Sequence, residues 1–199
     1  MCGRFFINNT GNQGDRCDIA PNDYASIIID ASEERHRCRW GYDVNRKNYL
    51  IINARAESVR QKPLFGRDFL KRRCLIPANG YYEWDSNKVK YSFVSMNKND
   101  EIYLAGVYTD VSGEKRFTIL TMEADKRISD IHTRMPVLVK KCEAKRWLCS
   151  ADKAGDFLDE RLKKTDISDD EWYIKVKQET NTQEQGIYVQ QSLFDGYGI

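Results

Sequence analysis

Apolar, aromatic and β-branched residues gather in short runs along this chain, separated by turn-forming or charged positions. Residues 26–29, 49–52, 91–95, 102–108 and 116–122 form such runs, and their lengths suit strands better than helices. Between the last two, Val111–Lys115 with Ser112-Gly113 at its centre predicts a hairpin turn. Helices are predicted over 54–59, 66–72, 123–131, 143–148 and 154–162, and a final strand over 171–177. Strands outnumber helices and the two are not regularly alternated, so the expected class is α+β, a strand-rich core with peripheral helices.

The pattern changes near residue 178. Residues 178–186 are polar without an apolar period, which predicts a disordered or loosely tethered tail over 178–199. Within it Tyr188-Val189-Gln190-Gln191-Ser192-Leu193-Phe194 forms an apolar island that needs a binding surface, either this protein's own or a partner's.

Composition narrows the class without naming a function. The chain has 199 residues, 41% hydrophobic and 31% charged, enough for one sizeable core and few for two. No run of about 18 apolar residues occurs and no signal-peptide pattern opens the chain, so a cytoplasmic protein that does not enter membranes is expected. A net charge of +2 is compatible with nucleic-acid binding without indicating it. The cysteines at 2, 17, 38, 74, 142 and 149 lack the close spacing of a zinc site. Cys17, Cys74 and Cys149 are expected to be small buried hydrophobes.

Cys2 stands apart because of its place. Its small side chain permits removal of Met1 by methionine aminopeptidase, leaving a thiol and a free α-amine on adjacent carbons. An α-amine has a pKa of about 7.7–8.0, so much of it is nucleophilic near neutrality. The thiol, at about 8.5, is also partly reactive. Such a pair suits an aldehyde: the amine forms an imine, and the thiol closes onto the imine carbon to give a thiazolidine. Ring closure is intramolecular and therefore favoured. Position alone leaves two other readings open, an inward-packed strand residue and an N-terminal nucleophile hydrolase.

Further along the chain, Met1-Cys2-Gly3-Arg4-Phe5, Ala20-Pro21, Trp40-Gly41, Asn53-Ala54-Arg55-Ala56-Glu57, Arg73-Cys74-Leu75-Ile76-Pro77-Ala78, Gly80-Tyr81-Tyr82-Glu83-Trp84 and Ile131-His132-Thr133-Arg134-Met135-Pro136 follow in order. In order and spacing these motifs resemble the SRAP (SOS-response-associated peptidase) family from about Cys2 to Val139, with weaker similarity to about Lys175. The resemblance implies a barrel-like SRAP domain over 2–177, monomeric and without a cofactor. It implies that Cys2 crosslinks abasic sites in single-stranded DNA. Asn53 would position the reacting amino terminus and sugar, and Glu83 and His132 would serve proton transfer. Arg4, Arg55 and Arg134 are implied phosphate contacts, and Trp40 is implied to line the DNA path. The run Arg67-Asp68-Phe69-Leu70-Lys71-Arg72-Arg73 is either further DNA surface or a solvated helix face. The chain departs from the common pattern after Trp40-Gly41, where no proline follows. Gln190-Gln191-Ser192-Leu193-Phe194 resembles the pentapeptide by which bacterial replication and repair proteins bind the sliding clamp. Gln190, Leu193 and Phe194 would be its anchors.

Overall fold

Ser112 and Gly113 both take positive φ, 56° and 86°, and Val111 pairs directly with Glu114. This two-residue turn matches the right-handed twist of its strands, as the Ser-Gly pair predicts. It joins the two longest strands, β11 (Ile102–Val111) and β12 (Glu114–Glu123). The computed structural model describes residues 2–8, 16–44, 49–95, 101–126, 128–163 and 174–177. The remaining strands, in chain order, are β1 (Arg4–Asn8), β2 (Arg16–Ile19), β3 (Tyr24–Ile28), β4 (Arg35–Trp40), β5 (Tyr42–Asp43), β6 (Leu50–Ile51) and β7 (Asn53–Arg55). They continue with β8 (Arg73–Ala78), β9 (Gly80–Trp84), β10 (Lys90–Val94), β13 (Arg134–Pro136), β14 (Leu138–Val139) and β15 (Ile174–Lys177). Among the described residues three α-helices, α1 (Pro63–Lys71), α2 (Ala144–Cys149) and α3 (Ala151–Lys163), lie outside them.

The strands β12, β4, β3, β8 and β11 pair in that order, and β11 pairs back to β12, closing a barrel. Closure removes the free edges that an open sheet would expose. β7 and β13 extend β12, β14 extends β11, and a second sheet runs β15-β10-β9-β1-β2. One continuous core joins the two sheets: Phe5 of β1 packs on Trp40 of β4 at 5.2 Å, and Trp40 stacks on Phe117 of β12. Gly106 on β11 is needed where strands crowd. A Cβ there would lie 2.6 Å from Ile76 and 2.8 Å from the Thr118 carbonyl oxygen.

Two helix expectations fail. Residues 54–59 begin as β7, because Ala54 and Arg55 pair in parallel with Leu120 and Thr121 and then turn. Tertiary pairing overrides the helix propensity of Ala and Glu there. Past Glu123 the chain turns at 126 and over 128–131 and returns as β13, whose Met135 pairs with Met122. The helices expected over 66–72, 143–148 and 154–162 are α1, α2 and α3. Only Cys74 of the three cysteines expected inside is buried, whereas Cys17 and Cys149 are exposed and Cys2 and Cys38 are buried. Cys17 lies on β2, at the sheet edge, and Cys149 at the end of a surface helix.

Candidate active site at the amino-terminal cysteine

The alternation of β1 sends Phe5 into the core and turns Arg4 and Phe6 to the other face of the sheet. Cys2, just ahead of this strand, is fully buried. Its main-chain carbonyl accepts a hydrogen bond from Asn53 Nδ2 at 3.0 Å. Asn53 is placed by β7, where it pairs with Ile119. Its Oδ1 is buried and accepts no hydrogen bond among the described residues. Leaving a buried amide oxygen unmatched is costly, and it leaves a spare acceptor on the side chain that holds the Cys2 carbonyl.

Glu83 comes from β9, the neighbour of β1. On this strand Tyr81 faces the core and stacks on Phe93 of β10 at 5.0 Å; Glu83 shares its parity. Glu83 is only 2% exposed. Burial pushes its carboxyl up to about 7, against the opposing pull of the positive amino terminus. A carboxyl at that value is partly protonated at neutral pH and can give or take a proton. The Cys2 thiol is pushed well above its usual range, first by burial and then by the nearby charge of Glu83. With Met1 attached, therefore, Cys2 has an inert thiol and a peptide nitrogen in place of an amine.

His132 ends the turn before β13. Its Nδ1 lies 3.0 Å from the backbone nitrogen of Arg134 and 3.1 Å from the Arg134 carbonyl oxygen. In the Nε2–H tautomer of the neutral ring Nδ1 accepts the N–H bond; with a proton on Nδ1, as in the other neutral tautomer or the cation, it donates to the carbonyl. The same residue thus offers a partner to either protonation state. Burial first, and then the positive amino terminus, pull the His132 pKa down, so the neutral ring dominates at neutral pH. The electrostatic influence of Glu83 on Cys2, and of the amino terminus on both Glu83 and His132, puts these groups in one neighbourhood.

The basic residues divide. Arg4 reaches Asp18 at 3.7 Å, and Arg55 is exposed at the end of β7. Arg134 is held in a two-point ion pair with Glu57, with Nη1 to Oε1 at 2.6 Å and Nη2 to Oε2 at 2.8 Å. Trp40, implied by the resemblance to line a DNA path, is completely buried, and its Nε1 donates to the Ile52 carbonyl at 3.0 Å. The basic run at 67–73 is not a uniform cationic face. Asp68 is buried against the Tyr42 hydroxyl and Arg72, and Arg73 turns inward onto backbone carbonyls. Gln190, Leu193 and Phe194 lie outside the described residues.

Sequence reasoning passed over Glu57, although it closes the Asn53–Glu57 motif, because a single exposed carboxylate carries no signal of its own. It also passed over Lys90, whose ammonium lies 3.9 Å from the Tyr82 ring centre and 3.8 Å from Asp18. Lys90 faces Trp84 in register across the sheet, which no local pattern announces.

The fold and sequence have clear relatives. Over 204 residues the chain is 31% identical to the abasic site processing protein YoaM of Bacillus subtilis, covering 87% of this chain and 90% of that protein. It is 25% identical to the abasic site processing protein YedK of Escherichia coli, covering 67% and 64% of the two chains. A crystal structure of a Bordetella bronchiseptica protein superposes with a TM-score of 0.72 at 21% identity, covering 90% of this chain and all of that one. The family model of the SOS response associated peptidases matches residues 2–183. From Cys2 to beyond its last described strand, this chain belongs to the SOS response associated peptidase (SRAP) family.

Proposed function

We propose that this protein, once Met1 is removed, binds single-stranded DNA and captures abasic sites covalently through Cys2. The observation that carries the proposal is the grip of Asn53 on the Cys2 carbonyl, with its own Oδ1 left as a buried acceptor beside Cys2. The abasic site processing names of the curated relatives support the substrate class.

The chemistry balances without a cofactor. The Cys2 α-amine adds to the aldehyde carbon of the ring-opened sugar to give a carbinolamine. Loss of water then gives the imine, the departing hydroxyl taking a proton from neutral Glu83 and the nitrogen giving its own proton to neutral His132 or back to the Glu83 carboxylate. The thiol adds to the imine carbon and its proton passes to the nitrogen, closing a thiazolidine. Overall one amine, one thiol and one aldehyde yield one ring and one water. Asn53 Oδ1 accepts a hydrogen bond from the amine and orients its lone pair. A single strand is the favoured substrate because its abasic sugar has little stacking to lose on entering the site. Arg4, Arg55 and Arg134 hold the flanking phosphates.

The test is denaturing electrophoresis after incubation with a single strand bearing one abasic site, alongside the intact mass of the protein. A heat-stable shifted band from protein lacking Met1, absent in Cys2→Ala, is the expected result. Protein lacking Met1 that forms no adduct would overturn the proposal and leave cysteine-dependent peptide cleavage or self-processing as the activity to assay. We also propose that Gln190–Phe194 binds the replication sliding clamp. Deleting these residues should abolish clamp pulldown and leave crosslinking intact; unchanged pulldown would refute it.

A further inference from the structure

Glu57 has no part in the mechanism above, yet three segments of chain meet around its ion pair with Arg134. Its carboxylate accepts both terminal nitrogens of Arg134, at 2.6 and 2.8 Å. The Arg134 Nη2 also donates to the Thr121 carbonyl at 2.6 Å, and that carbonyl accepts the Ala56 N–H at 2.8 Å. The exit from β7, the end of β12 and the start of β13 are therefore tied in one knot. Two-point pairing of a guanidinium with a carboxylate is directional as well as strong, so it fixes where the Arg134 backbone lies. That backbone is what His132 Nδ1 touches, through the N–H at 3.0 Å and the carbonyl at 3.1 Å.

We infer that Glu57 is a positioning residue for His132, acting through Arg134 to hold the neutral imidazole with its proton on Nε2. The inference rests on the reading that His132 serves the reacting centre at Cys2. It gives a purpose to an ion pair that otherwise only occupies an arginine expected to meet phosphate. Outer partners that fix a histidine's tautomer act by geometry, and a ring freed to turn loses its aim more than its basicity.

The test has a spectroscopic arm and a kinetic arm. The chain has two histidines, so ¹⁵N-histidine labelling of the full-length protein resolves His132, with His36 as internal control. In the wild type the nitrogen shifts of His132 should report the Nε2–H tautomer at a pH where the ring is neutral. In Glu57→Ala they should move toward the tautomer average while those of His36 stay put. Glu57→Gln, which keeps one acceptor, should fall between and serves as the folded variant if the alanine is unstable. In the kinetic arm Glu57→Ala should slow crosslinking about tenfold. In a His132→Ala background the same change should cost less than about twofold, because its route of action is already gone. Unchanged His132 resonances in both Glu57 variants, or an equal loss in both backgrounds, would overturn the inference. If the wild type forms no adduct at all, the crosslinking proposal fails, and the spectra still decide the role of Glu57.

Discussion

Glu83 sits in an environment that its residue type does not imply. Its folded-state carboxyl lies near 7, above the unfolded value of about 4.3. A carboxyl raised on folding costs nothing below its unfolded pKa and destabilises progressively as pH rises toward its folded one. Glu83→Gln should therefore leave stability at about pH 4 nearly unchanged and raise it by about 1–3 kcal/mol at about pH 8, read by denaturant melts at the two pH values. The same variant should slow crosslinking by about a hundredfold, since it holds the shape and loses the proton. Greater stability joined to lower activity would mark Glu83 as a functional group kept at a cost to the fold. Glu57 carries the opposite sign. Although burial works against it, its bonds to Arg134 hold its carboxyl below the usual range, so the pair's contribution is present at neutral pH and is lost as acid protonates it.

Among the elements, the junction of α1, α2 and β8 rests on one side chain. Arg73, the first residue of β8, is buried and donates to the carbonyls of Phe69 at 2.6 Å, Leu70 at 3.0 Å and Trp147 at 3.0 Å. Phe69 and Leu70 end α1 and Trp147 lies near the end of α2, so one guanidinium meets the negative ends of two helices. Arg73→Met should cost about 2–4 kcal/mol in denaturant unfolding, because the carbonyls stay buried without their donor. Trp147 locks the same junction, its Nε1 bonded to the Cys74 carbonyl at 2.9 Å and its ring set edge-on to Phe69 and Phe157. In the sequence Arg73 closes a basic run that reads either as DNA surface or as a solvated helix face, and it also opens the Arg73–Ala78 motif. Its inward turn follows from the strand that begins there. Strands β4 and β8 escaped the periodicity for related reasons. β4 alternates Arg35, Arg37 and Arg39 with His36, Cys38 and Trp40, so a histidine breaks its apolar face, and β8 is buried at every position and so has no alternation to detect.

At the scale of the whole molecule, no helix among the described residues is long and apolar enough to cross a membrane, and the net charge of +2 is too small to bind nucleic acid by bulk attraction. On the proposed function, DNA affinity comes from a few placed cations. If Arg4, Arg55 and Arg134 each meet one phosphate, the logarithm of affinity for a single strand should fall against the logarithm of salt with a slope of about −2. Arg55→Ala should make that slope shallower by about 0.7 and leave the covalent step unchanged at saturating DNA, as measured by anisotropy across a salt series. An unchanged slope would place the DNA path away from β7.

By itself the sequence determined the features that depend on near neighbours. The Ser112-Gly113 turn needs only two residues that tolerate positive φ, and α3 needs only an apolar stripe at helical spacing. The pairing of amine and thiol proposed for Cys2 rests only on its position next to Met1. The ordered motifs also placed the chain in its family. Only the tertiary structure decided what depends on contacts through space. It buried Glu83 and so moved its proton affinity, closed Trp40 into the core, and drew residues 53–55 into a strand beside β12. It also joined Glu57 to Arg134, 77 positions away. Burial and pairing are set by which distant segments meet, and no local pattern of residues carries that information.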